Sequence, residues 1–570
     1  MNHESQLRSL RARLVELDVD VVFVAINNSF GNFDDEVSEL TQISGFSGSN
    51  GRAVVSADRA LLCVDGRYTK QATEQTDNLV WEVCTYPDVD TIGLLRKVIR
   101  KNQTLAICPF SITYSSYLTI SKISKELEFS IKIVNESIFE EKKTSDSKLF
   151  LMDEVDIGEP KSNRINKIRS TLNDGEAVML TEKSIVGWCF GLRREKITDN
   201  KCVLPNCIAY IPKVEKPIIF CDMELENCKE DFIFMPFSKF EDVIRSAKKV
   251  SVNCDFTTTP LYFPFTLQNL MFHVKQSRIQ YGEFEAIKNS TEVENLKTAA
   301  ELTSAAFIKV LAYVESCKKT TEVEVIEVFE NELRKNKIFV DLSFNAISSF
   351  GKNTSIVHYN PKVLGNSSID SDGLFLFDAG AHFKNATTDM TRVIYRGDNP
   401  SDELCTIYTT ILKSVIMFST AKFPDRAKAS SLDSLARFFV WQQGIDYNFG
   451  TGHGVGSFGN VHEHPRISQS SNEQITKNMV MTVEPGIYTK SFGIRLENML
   501  LTKDVSRGYI EFETLSFIPF CRKMIKTKML NIDEVKWINN YNKCVYEKFY
   551  KVFSDDVDTL RFLSENTKEV

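Results

Sequence analysis

The chain has 570 residues, 42% hydrophobic and 25% charged, an ordinary soluble globular composition with length for three to four domains. A net charge of −7 argues against nucleic acid or an anionic membrane as the main partner, and no run of about 18 apolar residues exists to span a bilayer. The opening MNHESQLRSLRARLVELD lacks an apolar signal core, so the thirteen cysteines are expected to be reduced thiols of a cytoplasmic protein.

That opening instead predicts an amphipathic helix with Leu7, Leu10, Leu14 and Leu17 on one face. VDVVFVAIN (Val19–Asn27) reads as a buried strand. Gly45, Gly48 and Gly51 are spaced like a phosphate loop, but no Gly-Lys-Ser/Thr follows, and a strand-to-strand turn is expected instead. The lysine- and acid-rich EEKKTSDSK (Glu140–Lys148) marks a boundary. Beyond it the alternation of helices and strands resumes to about residue 282, suggesting a duplicated α/β fold. Cys202, Cys207, Cys221 and Cys228 fall in this stretch without the spacing of a zinc knuckle.

The third part opens on NSTEVENLK, where Thr291 and Glu294 fit a capping box. Val293, Leu296, Ala300, Phe307, Val310 and Val314 follow at helical spacing, as a core stripe. Near the end, Val535, Ile538, Val545 and Phe549 share one face of a helix, and the last dozen polar residues are expected to fray.

Between these helices lie two hairpin-like apolar runs and a glycine-rich turn. GLFLFDAGAHFKNATTDMTRVIY carries Asp378 and Asp389, GTGHGVG carries His453, and MVMTVEPGIYTKSFGIRLENMLL carries Glu484 and Glu497. An Asp in a TTD string is ordinarily a turn former, and a Glu before Pro-Gly ordinarily lies at the surface. Together on core-like strands, four carboxylates need a partner, because burying them unpaired is costly. Four carboxylates and one imidazole suffice for two divalent ions about 3.5–4 Å apart, able to ionise a shared water and polarise a carbonyl. Oxygen-dominated ligation favours a hard-to-borderline ion over a thiolate metal.

These strings, with VDLSFNAISSFGKNTSIVHYNP and GTGHGVGSFGNVHE, resemble the pita-bread metallopeptidases. From about residue 40 to 545 the chain resembles the three-domain cytosolic aminopeptidase P (Xaa-Pro aminopeptidase) family. The resemblance implies two creatinase-like α/β domains, 1–142 and 143–282, followed by a pita-bread catalytic domain over 283–570. It implies two Mn²⁺ per subunit, with zinc or cobalt as alternatives. Asp378 would chelate one ion, Asp389 and Glu497 would bridge, and His453 and Glu484 would complete the second. A hydroxide between the ions would attack the scissile carbonyl, with Glu484 taking its proton. His358 and His462 match second-sphere histidines, which the resemblance implies would contact the scissile carbonyl and the developing oxyanion or the proline side of the cleavage point. Substrates would be peptides with proline at the second position, and a homodimer is implied.

Two positions depart from the family pattern. Phe449 stands where a histidine is common, and His464 where glycine is usual. Arg193 follows the second domain's usual wording, but its neighbours do not. His382, just past the DAG turn, is expected at the surface. The competing readings are a prolidase acting on dipeptides, a methionine aminopeptidase, disfavoured by two extra N-terminal domains, and an inactive pita-bread binding protein, disfavoured because all five ligands are kept.

Overall fold

The computed structural model describes residues 3–25, 38–86, 88–134, 147–198, 200–225 and 232–570. The chain folds into two compact units: Met1–Glu154 with Glu159–Tyr281, and Val155–Gly158 with Gly282–Val570.

The first unit holds two six-stranded mixed sheets. In one, Val21–Ala25 pairs antiparallel with Arg52–Ser56 and parallel with Thr104–Ile107. Its side chains alternate between two apolar layers, Val22 and Val24 in one and Val21 and Phe23 in the other. Both faces being covered explains why the run reads as continuously apolar. Its last two residues, Ile26 and Asn27, lie outside the described residues. Leu7, Leu10 and Leu14 of the helix His3–Glu16 seal the first layer, with Leu17 partly buried against it.

The second sheet repeats the order of pairings. Glu176–Leu180 takes the central place, antiparallel to Ile208–Pro212 and parallel to Ser251–Cys254. In each sheet the strands beyond these continue antiparallel then parallel on one side, and parallel on the other. Gly45 does not join two strands: it ends the helix Glu39–Ser44 in the left-handed conformation (φ 79°), so the glycine cluster is a helix-to-strand turn. Most of the Glu140–Lys148 link and Cys228 lie outside the described residues. Cys207 and Cys221 are buried.

In the second unit one apolar core is wrapped by the helices Ser290–Ser316, Glu322–Leu333, Asp402–Ser419, Ala429–Trp441, Ile532–Phe549 and Val557–Asn566. The capping box of the first lies two residues before its expected place: Asn289 caps the amide of Glu292, and Glu292 returns the bond to Asn289. Both registers satisfy the box spacing, and the one starting the helix earlier wins. The final residues do not fray, because Phe562 and Leu563 of the last helix bury against the core. None of the described helices is long and apolar enough to cross a membrane.

Two antiparallel sheets position the site. Gly373–Ala379 lies between Ile347–Phe350 and Met390–Arg396, and Val480–Val483 between Gly452–Gly454 and Asn498–Asp504. They meet where the Glu497 amide donates to the Thr391 carbonyl at 3.1 Å. The hairpin Gly486–Tyr488/Gly493–Arg495 fills the gap between Glu484 and Glu497.

Candidate dinuclear metal site

Asp378 is the penultimate residue of its strand and pairs with Thr391, two residues after Asp389. Glu484 and Glu497 flank the Val483–Asn498 pair. Each carboxylate therefore stands at a strand end where the two sheets converge. His453 lies between two glycines whose lack of side chains is required. A Cβ on Gly452 would run into the Thr482 carbonyl, and one on Gly454 into the His464 carbonyl. His453 Nδ1 donates to the Gly454 carbonyl at 3.0 Å. That bond orients Nε2 towards Asp389 at 3.4 Å and Glu484 at 3.3 Å.

Three overlapping sets of side chains have ligand atoms within 4.8 Å of one another: Asp378, Asp389 and Glu497; His453, Glu484 and Glu497; and Asp389, His453 and His462. Glu497 belongs to the first two and Asp389 to the first and third. The fold thus gathers all five expected ligands, together with His462, whose ring stands perpendicular to His453 with centroids 4.3 Å apart.

The charge balance asks for cations. Four carboxylates meet one guanidinium, Arg495, which binds Asp378 and lies 3.9 Å from Glu484. Asp378 Oδ1 and Glu497 Oε1 are buried without a hydrogen-bond partner among the described residues. Burial pushes Asp378 up to about 7 against the pull of Arg495, helped by the charges of Asp389 and Glu484. Burial likewise raises Asp389, although His453 opposes it, and raises Glu497 strongly with the charges of Asp389 and Glu484. His453 goes up despite burial, because Asp389 and Glu484 stabilise its charged form. Buried oxygens without a hydrogen-bond partner, on carboxylates whose charge one guanidinium does not balance, are donors that divalent cations would satisfy. The donor set fits two such ions.

His358 is half-buried on the loop after the turn Gly351–Ser355. That loop is held by the buried carboxylate of Glu322, which accepts from Asn353, Tyr359 and the amides of Phe350 and Ser367. His382 is buried, contrary to expectation. Its Nδ1 pairs with Thr387 Oγ1 at 3.0 Å and its ring meets Phe458 edge-on, packing beneath the loop that leads to His462. His464 turns towards Glu473, 2.8 Å away, and occupies the space left by the missing side chain of Gly282. Phe449 packs edge-on against Tyr488 with centroids 5.8 Å apart.

Arg495, Tyr488 and Thr391 were not read from the sequence as site residues. Tyr488 bonds Arg495, and Thr391 Oγ1 donates to Glu497 Oε2 at 2.7 Å. One of them had a local signal: Arg495 ends the strand Gly493–Arg495, two residues before Glu497.

Residues 294–504 match metallopeptidase family M24, 508–570 the C-terminal region of peptidase M24, and 6–132 the creatinase/prolidase N-terminal domain. A probable Xaa-Pro aminopeptidase P of Sordaria macrospora is 31% identical, over 100% of this chain and 99% of that protein. One of Paracoccidioides brasiliensis is 31% identical over 99% of each. Among solved structures, X-prolyl aminopeptidase from Caenorhabditis elegans, described as a cytosolic enzyme with a di-nuclear active site, superposes with a TM-score of 0.92. It is 25% identical, over the whole of both chains.

Proposed function

Because the chain belongs to the Xaa-Pro aminopeptidase P family of M24 metallopeptidases, with creatinase-like and pita-bread domains, we propose that it removes the N-terminal residue from peptides whose second residue is proline. It is a metallo-aminopeptidase with places for two divalent metals. The observation that carries the reading is the convergence of Asp378, Asp389, His453, Glu484 and Glu497, with two buried carboxylate oxygens left open.

Asp378, Asp389 and Glu497 would hold one ion, and His453, Glu484 and Glu497 the other, with Asp389 reaching across to His453. Manganese is the ion we assign. Two bound cations would supply a nucleophilic hydroxide at neutral pH and a Lewis acid for the scissile carbonyl. The chain's own groups do the rest. Glu484, the least buried of the four carboxylates, takes the proton of the attacking water. His462, exposed beside His453, and His358 donate to the carbonyl oxygen as charge develops on it. Arg495 and Thr391 fix Asp378 and Glu497 in place. An X–Pro bond is a tertiary amide beside a rigid ring, which most peptidases accommodate poorly.

We assign residues 1–142 and 143–282 to two creatinase-like domains and 283–570 to the catalytic domain, in a cytoplasmic homodimer. The test is hydrolysis of Xaa-Pro-Xaa and Xaa-Pro peptides by the manganese-loaded protein, with and without chelator. Release of the first amino acid from the longer peptide supports the reading, and cleavage of the dipeptide alone would make it a prolidase. Intact peptides beside protein that binds two ions would refute it.

A further inference from the structure

Arg392 lies next to the site but touches none of its carboxylate oxygens. It is fully buried, and no carboxylate pairs with it among the described residues. A buried guanidinium without a counter-ion is costly, so its neutral partners must be well placed. Nη1 donates to the carbonyls of Thr391 (2.9 Å) and Glu497 (2.5 Å). Nη2 donates to Asn498 Oδ1 (2.7 Å), the Ile518 carbonyl (3.0 Å) and Tyr541 Oη (2.9 Å). Nε donates to the Ile518 carbonyl at 3.1 Å, and the guanidinium lies 4.5 Å from the Phe520 ring centre.

One end of this fork holds the peptide group of Glu497, and the other is held by the C-terminal region. Tyr541 comes from the helix Ile532–Phe549. Its hydroxyl accepts from the Ile518 amide at 3.0 Å and donates its single proton to the Ile518 carbonyl at 2.8 Å, with the Ser516 carbonyl 3.0 Å away. Trp537 stacks on its ring at 5.3 Å, fixing the ring plane. The guanidinium is thus tied to main-chain carbonyls at both ends, Thr391 and Glu497 on one side and Ile518 on the other.

The geometry points to Arg392 and Tyr541 as positioning residues through which the C-terminal region, residues 508–570, sets Glu497 for metal binding. The inference rests on the reading of Glu497 as a shared ligand. Holding the Glu497 carbonyl fixes the main chain from which its carboxylate springs, while Thr391 fixes the carboxylate itself. Loosening the clamp therefore acts on the binding of the ions that would share Glu497, without touching substrate.

Three full-length variants test this: Tyr541→Phe, Arg392→Lys and Tyr408→Phe. Tyr408 is the matched control, since its buried hydroxyl accepts from the Cys521 amide and, among the described residues, makes no hydrogen bond to Arg392. Chelator-treated protein is titrated calorimetrically with Mn²⁺, and hydrolysis of an Xaa-Pro-Xaa peptide is measured at limiting and excess Mn²⁺. Tyr541→Phe and Arg392→Lys should weaken binding of the second ion about tenfold, the lower end for groups that orient a ligand. Their kcat should fall at limiting Mn²⁺ and recover in excess, with KM unchanged. Tyr408→Phe should lower stability while leaving ion affinity alone. Wild-type affinity in Tyr541→Phe, or an equal loss in Tyr408→Phe, overturns the clamp; should Arg392→Lys fail to fold, Tyr541→Phe decides. A wild-type protein that binds fewer than two ions overturns the site reading itself.

Discussion

Arg495 takes one oxygen of Asp378 and leaves the other, Oδ1, buried and open. A single carboxylate is thereby held by a guanidinium on one oxygen and keeps the other for the cation proposed above. The same guanidinium bonds Tyr488, so it is held from two sides. Arg495→Met should remove the pair and strand Asp378 in a buried place, costing about 3–5 kcal/mol of stability. Arg495→Lys keeps the charge but loses the fork, and should still lower kcat by about tenfold or more through a misdirected Asp378. Thermal melts and peptide kinetics of both variants check this, and wild-type kcat in Arg495→Lys would show that the fork is not needed.

Removing a shared ligand should be more severe. Asp389 lies in two of the three ligand sets, so Asp389→Ala should lose at least one ion per chain and essentially all turnover. Metal content of the purified variant, set beside its activity at excess Mn²⁺, is the measurement. Full activity with two ions bound would contradict the assignment.

The five clustered side chains were legible because each sits in a short string whose residues also build the strand end that presents it. Asp378 closes an apolar run, and His453 needs the glycines on either side. What surrounds them was not legible in the same way. Arg392 is in the string TTDMTR, but its partner Tyr541 lies 149 residues away in the C-terminal helix, and no local periodicity joins them. His382 looked like a surface residue because it follows a turn, yet the loop bearing Phe458 folds over it. The tail looked frayed because polar residues outnumber Phe562 and Leu563, although those two suffice to dock a short amphipathic helix.

The metal-free site should make stability depend on pH in one direction. Burial pushes Asp378 up from the ordinary 3.8 to about 7, and Asp389 and Glu497 are also raised. The folded chain therefore holds protons that the unfolded chain has released, and stability falls as pH rises from about 4 through 7. His453, raised above 6.5, has the same sign, since its stabilisation is complete below that value and is lost as pH climbs through the folded one. Bound cations replace those protons. The gain in Tm on adding Mn²⁺ to chelator-treated protein should therefore be larger at about pH 7.5 than at about 5.5, and a gain independent of pH would sink this account.

Glu322 offers a variant that leaves the ligands alone. Its two oxygens receive four donors at 2.7–2.9 Å from the loop carrying His358. Glu322→Gln turns one acceptor into a donor facing donors, at about 1–3 kcal/mol for each group left unpaired. Stability and kcat/KM should both fall while metal content stays at the wild-type value. Loss of metal in this variant would place the fault at the ions rather than at the histidine loop.

Phe449 occupies the position where the family resemblance places a histidine, and it contacts the ring of Tyr488, whose hydroxyl bonds Arg495. An imidazole there would bring a proton donor beside the Asp378–Arg495 pair, at the expense of an edge-to-face contact worth about 0.5–1.5 kcal/mol. Phe449→His should therefore lower stability slightly and raise kcat on Xaa-Pro-Xaa peptides a few-fold, with KM and metal content little changed. Phe449→Ala removes the same contact without supplying the donor, so it should share the stability loss and show no gain in kcat. Equal kcat in the two variants would mean that the ring contributes shape alone, and that the chain's departure from the family pattern at this position is neutral for the chemistry.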